Sequence, residues 1–215
     1  MQKKLFDKYD KKRIQSLPQA LFQGQIVVVS NEQEAEDAVN VLLRHRLLGF
    51  DTETRPTFKK GEWRHVALMQ VSTHDVCYLF RLNKIGVPPC VVRLLENTEV
   101  TIVGLSVHDD IHCLHKRIQF TPGHFVDIQN MVGEIGIKDM SLQKLYANIF
   151  GQKITKREQL TNWERDTLTD KQMVYAATDA WACIMLYEEV VRLKKTKDFE
   201  LIETEEDEKD TAEKR

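Results

Sequence analysis

A mixed α/β domain is what this sequence predicts, on three observations. Two apolar runs flank a four-residue polar turn, a strand–helix–strand pattern follows directly, and helical spacing then takes over most of the remaining chain. The expected architecture is a central mixed sheet of five or six strands with an antiparallel hairpin strand and helices on both faces. With 215 residues, 42% of them apolar and 30% charged, the chain suits one soluble domain with a continuous core. No apolar run approaches the roughly 20 residues that cross a bilayer, so no membrane span is expected. Behind Met1-Gln2-Lys3-Lys4 there is no apolar stretch of the secretory kind, and cytoplasmic residence follows as the default.

Along the chain, residues 1–24 are polar with scattered apolar positions and read as an arm. The domain proper, 25–196, opens on the β-rich Ile26-Val27-Val28-Val29. Ser30 or Asn31 can cap a helix carrying Ala35, Ala38, Val39, Leu42 and Leu43 at helical spacing. Leu47-Leu48-Gly49-Phe50-Asp51 is apolar up to its last residue, which marks a central strand covered on both faces. Residues 66–71 and 76–80 are the two runs around Ser72-Thr73-His74-Asp75, a hairpin-length turn. A short helix near 91–95, a strand over 101–105, a helix over about 109–116 and a short strand over 125–128 follow. Leu142, Leu145, Tyr146, Ile149 and Phe150 share one helical face, and a long helix runs from 170 to about 194.

Residues 197–215 form a charged tail expected to be disordered; positions 200–215 alone hold 8 Asp/Glu against 3 Lys/Arg. The net charge of −2 therefore conceals a weakly basic body, a balance that neither demands nor excludes a polyanionic partner. Cys77, Cys90, Cys113 and Cys183 are scattered with no Cys-x-x-Cys pair, and are expected as reduced, mostly buried thiols.

Phe50-Asp51-Thr52-Glu53 sets two carboxylates on alternate residues at a strand end, so both point to one face. Carboxylates this close repel unless a cation lies between them, and hard divalent ions such as Mg²⁺ or Mn²⁺ prefer oxygen ligands. A solvated Asp-x-Glu at a strand end would look the same. Tyr175 and Asp179 stand four apart on the long helix, one turn from each other on one face. Small Ala176, Ala180 and Cys183, with apolar Ile184, Leu186 and Val190, bring that helix close to the sheet. Asp179 is thus expected to point inward, where an unpaired carboxylate is costly and a metal ion compensates it. On its own the pair also fits a buried hydrogen-bond network.

Taken together, these motifs resemble the DEDDy-type 3′-5′ exonucleases of the ribonuclease H-like superfamily, with Asp-x-Glu, a middle Asp, and a final Asp preceded four residues earlier by Tyr. The family's middle carboxylate stands just after a strand, and Asp110, behind Gly104, supplies it; adjacent Asp109 is the one-residue alternative. Asn162-Trp163, Leu168-Thr169, Gln172 and Tyr175-Ala176-Ala177-Thr178-Asp179 are similar to a stretch of Werner-type exonuclease domains and of ribonuclease D catalytic domains. The Werner-type likeness is the stronger, because the chain stops after the nuclease core. Ile111-His112 depart from the aromatics that follow the middle Asp there. The resemblance covers about residues 25–195.

What the resemblance implies is a metal-dependent 3′-5′ exonuclease that releases nucleoside 5′-monophosphates, using two ions, Mg²⁺ or Mn²⁺, about 3.5–4 Å apart. Asp51 would bridge both, Glu53 and Asp179 hold the water-bearing ion, and Asp110 support the second. Tyr175 would orient the attacking water, since a phenol with a pKa of about 10 is a poor base near neutrality. The partner would be single-stranded or 3′-recessed nucleic acid, DNA ahead of RNA. Two other readings stay open: a catalytically silent nucleic-acid-binding module of the same fold, and an RNA-trimming exoribonuclease of the ribonuclease D type.

Candidate nucleic-acid contacts are Trp63 and Arg64, in an aromatic and basic segment with Phe58, Lys59 and Lys60. Leu68 to Gln70 on the next strand, Met69 among them, are expected in the terminal-nucleotide pocket by analogy with the family; Lys156 and Arg157 ahead of Trp163 could reach a phosphate or the leaving strand, though basic loop residues are also commonly just solvated. His108, His112 and His115 share a helical face but lack a fourth ligand, so zinc is not expected.

Overall fold

The structure is a computed structural model that describes residues 2–59 and 61–204. Its elements run β1 (Lys3–Phe6), α1 (Lys11–Ile14), β2 (Gln25–Val29), α2 (Glu32–Leu42), β3 (Leu47–Thr54), β4 (Val66–Ser72), β5 (Val76–Phe80) and α3 (Leu82–Ile85). Then follow α4 (Pro89–Leu95), β6 (Thr101–Gly104), α5 (Val107–His115), β7 (Phe125–Asp127), α6 (Ile128–Gly133), α7 (Leu142–Phe150), α8 (Asp170–Thr196) and β8 (Phe199–Ile202). Six strands make one mixed sheet in the order β2-β5-β4-β3-β6-β7. Within it β4 runs antiparallel to both neighbours, while the β2–β5, β3–β6 and β6–β7 pairs are parallel.

The β4–β5 hairpin is fixed by its turn: Thr73 N–H donates to the Val76 carbonyl at 2.8 Å, and the Thr73 hydroxyl accepts from Val76 N–H at 3.0 Å. That local closure sets the pairing of Ser72 with Cys77 and carries the register along the sheet. Asn31 rather than Ser30 caps α2, accepting from Glu34 N–H at 2.9 Å. Thr169 and Gln172 form a reciprocal capping box at the head of α8, and Gln172 also donates to the Thr161 hydroxyl and the Asn162 carbonyl, tying the preceding loop down.

Helices cover both faces. Leu48 and Phe50 point to the face packed by α2 and α4, in a cluster with Val39, Leu42, Val91 and Leu94. Gly49 points the other way, and a Cβ there would lie 1.9 Å from the Ala180 carbonyl oxygen of α8. Only glycine lets the strand and helix backbones approach this closely. No helix among the described residues is long and apolar enough to cross a membrane. Cys77, Cys90 and Cys183 are buried free thiols, and Cys113 is half-buried.

The expected division at the two ends needs correction. Residues 3–6 are a strand, β1, which pairs in parallel with β8 from Lys3 with Phe199 to Phe6 with Ile202. Asp7, 1% exposed, accepts from Thr204 N–H and its hydroxyl, both at 2.8 Å, and from Lys138 Nζ at 2.9 Å. Leu5, Ile14, Ala20 and Phe22 are buried, so the first 24 residues pack on the domain instead of merely leading into it. The expected disorder from residue 197 therefore fails for the segment through Thr204, because apolar Phe199, Leu201 and Ile202 find a partner strand. The remainder of that tail, 205–215, lies outside the described residues.

Candidate active site

Asp51 and Glu53 stand on alternate residues of β3, on the side that Gly49 opens to α8. A register shift between Glu53 and Thr54 bulges the strand pair just past them, a distortion common beside active sites. From α8 comes Asp179, and one oxygen from each of the three carboxylates lies within 4.8 Å of the others. Glu53 and Asp179 are each only 7% exposed. Asp179 Oδ1 is buried and has no hydrogen-bond partner. An all-oxygen donor set with an unpaired buried lone pair is what a hard divalent cation satisfies.

The electrostatics show the strain of this grouping. Burial first, then repulsion from Asp179, pushes Asp51 well above the usual carboxylate range. Glu53 is pushed up to about 10 by burial and by Asp51, Asp179 and Asp110. Asp179 rises to about 7 through burial, restrained by a hydrogen bond from Tyr175 and the positive charge of Lys156. Without a cation, these groups relieve one another by keeping protons.

Asp110, on α5, stands outside the group of three and outside the crevice lining, near enough to Asp51 and Glu53 for their charges to act on one another. Thr52, whose side chain faces away from Asp51, donates its hydroxyl to Asp110 Oδ1 at 2.5 Å. Burial and then Asp51 raise Asp110 to about 8. Its neighbour Asp109 has an 84% exposed side chain, so the helix presents Asp110 and not Asp109 to the site. The head of α5 is anchored by Asp127, which accepts from the N–H groups of Ser106 and Val107 at 3.2 and 3.0 Å. Ser106 itself adopts a left-handed backbone, φ 59°, a strained state that this pair of bonds holds in place.

Tyr175, 8% exposed, lies one turn before Asp179, its ring 6.0 Å from that of fully buried Trp163. Burial first, then the nearby carboxylates, raises the phenol far above its ordinary value, so it stays protonated and acts as a donor. A crevice of about 310 Å³ opens over these groups, walled by Leu105, Met140, Gln143, Ile154, Lys156 and Gln159.

Residues 26–193 match the sequence profile of the 3′-5′ exonuclease family. The chain belongs to that family. Among its relatives are the mouse bifunctional 3′-5′ exonuclease/ATP-dependent helicase WRN, 29% identical over 84% of this chain, and the Drosophila melanogaster exonuclease 3′-5′ domain-containing protein 2, 30% identical over 87%. The alignments take in 14% and 34% of those two proteins. Solved structures with the same ribonuclease H-like fold include the Aedes aegypti Nibbler EXO domain, with a TM-score of 0.75 and 19% identity over 84% of this chain and 95% of that one. Escherichia coli RNase D, an exoribonuclease, gives 0.69 and 18% identity over 81% of this chain and 47% of its own. Trypanosoma brucei RNase D, solved in complex with RNA U12, gives 0.68 and 20% identity over 79% and 63%.

Of the exonuclease domain's other expected site residues, Lys156 lies in the crevice wall. Arg157 lines an adjoining hollow with Leu21, Thr155 and Tyr175. Trp63 is 60% exposed, with its ring edge-on to His65 at 4.7 Å, and Arg64 pairs with Glu62 at 3.3 Å and Glu164 at 3.6 Å; neither lines the crevice. Lys60 lies outside the described residues. Met69 is a correction: it is fully buried in the cluster with Leu48 and Phe50, on the far face of the sheet. The residue beside it does the reaching, since Gln70 pairs with Asp51 in the ladder and donates Nε2 to Asp51 Oδ2 at 3.4 Å.

Gln70 belongs to the segment expected near the pocket, and its pairing opposite Asp51 gives it a place in the site; Thr52, between the two carboxylates of the Asp-x-Glu motif, has a role that no sequence signal marks. Of the three histidines, His108 and His112 are exposed and His115 Nε2 bonds the Phe120 carbonyl oxygen at 3.0 Å. The group able to hold a metal ion among the described residues is the acidic one.

Proposed function

We propose that this chain is a metal-dependent 3′-5′ exonuclease that cleaves phosphodiester bonds at a free 3′ end and releases nucleoside 5′-monophosphates. The observation that carries it is the convergence of Asp51, Glu53 and Asp179 within 4.8 Å around an unpaired buried oxygen. Two ions, Mg²⁺ or Mn²⁺, are the cofactor in this reading, held by those three carboxylates with Asp110 supporting the second. Such ions neutralise the phosphate, lower the pKa of water and stabilise the departing 3′ oxygen.

The chain's own residues do the rest. Tyr175, kept protonated by burial, donates a hydrogen bond that aligns the attacking water and takes no proton from it. Thr52 aims Asp110, and Gln70 holds Asp51 against rotation. Lys156 offers a positive charge to a phosphate oxygen at the crevice wall. The Werner-type resemblance favours DNA, single-stranded or 3′-recessed. RNA is the second reading, favoured by the likeness to an RNase D solved with RNA.

The test offers 5′-labelled single-stranded DNA, 3′-recessed duplex and RNA with Mg²⁺, Mn²⁺ or chelator. A ladder shortening from the 3′ end is expected, absent with chelator, and slowed at least about 100-fold in Asp51→Ala and Asp179→Ala. Binding without any shortening, in every metal, would instead support the silent binding module.

A further inference from the structure

Beyond the nuclease crevice, a second cleft of about 510 Å³ is lined by Trp63, Arg64, His65, Asn83, Arg117 and Glu164. It shares no residue with the crevice. Three buried side-chain atoms without a hydrogen-bond partner belong to its walls: Arg64 Nε, His65 Nδ1 and Asn83 Oδ1. Such atoms are costly to leave unmatched, and all three sit just beneath the wall of one cleft, where turning their side chains toward a polar ligand would match them. Arg117 commits Nε to the Val66 carbonyl at 2.7 Å, and no hydrogen bond among the described residues engages its terminal nitrogens. Arg64 is shared between Glu62 at 3.3 Å and Glu164 at 3.6 Å, and Arg55 also pairs with Glu164 at 3.2 Å, so Arg55, Arg64 and Arg117 together carry one positive charge more than these two carboxylates.

N–H donors from two arginines select an anion with several acceptor oxygens, and phosphate is the commonest such group. Trp63, 60% exposed at the rim, adds a ring on which a base can stack. A surface track leads there from the catalytic crevice. Gln159 walls the crevice; Leu160, Thr161 and Asn162 then line a shallow hollow with Arg55 and Phe58, and Arg64 borders both that hollow and the cleft. Phe58 and Leu160 stand 86% and 69% exposed along the way.

We propose that this cleft binds a phosphodiester group of the substrate strand, upstream of the nucleotides seated in the crevice. The inference rests on the exonuclease reading and adds a distal grip to it. The active centre holds the 3′ terminus, while the Arg64–Arg117 cleft holds the strand behind it.

The experiment measures anisotropy of 5′-fluorescein single strands of 4 and 16 nucleotides in chelator, where nothing is cut. Wild type should bind the 16-mer more tightly than the 4-mer. In Arg64→Gln/Arg117→Gln that ratio should fall at least about tenfold, and the slope of log affinity against log salt should flatten by about 0.7 for each phosphate no longer held. Because Arg117 also supports Val66, Arg64→Gln/Trp63→Ala, which touches only partly exposed side chains, serves if the first variant does not fold. An unchanged ratio in a folded variant would overturn the proposal. Free nucleoside monophosphate is the other source of this phosphate chemistry. If it shifts the His65 ring resonances while the variants leave the length ratio alone, the cleft is a mononucleotide site and the proposal is wrong. Wild type that binds neither strand in chelator overturns the distal grip, and wild type that in addition shortens neither strand with Mn²⁺ rejects the exonuclease reading along with it.

Discussion

Burial, joined by repulsion from neighbouring carboxylates at Glu53 and Asp110, pushes Glu53, Asp110 and Asp179 up to about 10, 8 and 7, because it penalises their charged forms. In the unfolded chain they ionise near pH 4. Between those limits the folded protein binds more protons than the unfolded one, so the stability of the metal-free protein falls as pH rises from about 4 toward 10. A divalent cation reverses the sign locally, since it favours the ionised forms. Melting curves should show Mn²⁺ raising the midpoint far more at pH 9 than at pH 6, and calorimetry in two buffers of different ionisation heat should show protons released on binding. Equal stabilisation at both pH values with no proton release would mean that the carboxylates are already ionised without metal.

Asp110 and Asp109 separate at the same scale. Asp110→Ala should slow hydrolysis at least about 100-fold, whereas Asp109→Ala, altering an 84% exposed side chain, should leave initial rates within about twofold. Asp51, Glu53, Tyr175 and Asp179 were legible because alternate spacing on a strand and four-residue spacing on a helix each fix a face. The segment 68–70 divides by face. All seven residues of β4 are buried, but the polar pair Gln70 and Ser72 alternates and falls on the face where Gln70 meets Asp51, while Met69 turns to the other.

Among the elements, α8 and β3 matter most, and their contact hangs on Gly49. A methyl group there meets the Ala180 carbonyl at 1.9 Å, and backbone atoms cannot yield as a side chain would. Gly49→Ala should therefore cost about 1–3 kcal/mol or more, lowering the melting midpoint by several degrees. Activity should drop further than stability, since moving α8 carries Asp179 away from Asp51. Normal activity with an unchanged midpoint would show that the helix position is not set here. The small residues of α8 announced its close approach in the sequence, and the hairpin announced β4 and β5. By contrast, nothing local showed that β2 joins the sheet edge beside β5, because a parallel pairing has no turn to mark it.

Over the whole molecule, β3 and α8 bring their residues to a common crevice with Asp110 of α5 close behind, while β1 and β8 clasp the two ends of the described chain. That clasp joins Lys3 to Phe199, a separation across which neither periodicity nor turn chemistry carries information. The acid-rich composition beyond residue 200 pointed to disorder and hid the short apolar strand within it. The proposed function depends at this scale on carboxylates distant in sequence converging where they could hold metal cations. Anomalous diffraction from Mn²⁺-soaked crystals would locate those cations outright. One peak bonded by oxygens of Asp51, Glu53 and Asp179 is expected, with a second beside Asp51 and Asp110; a map with no Mn²⁺ between these carboxylates at millimolar metal and pH 8 would refute the metal-dependent reading.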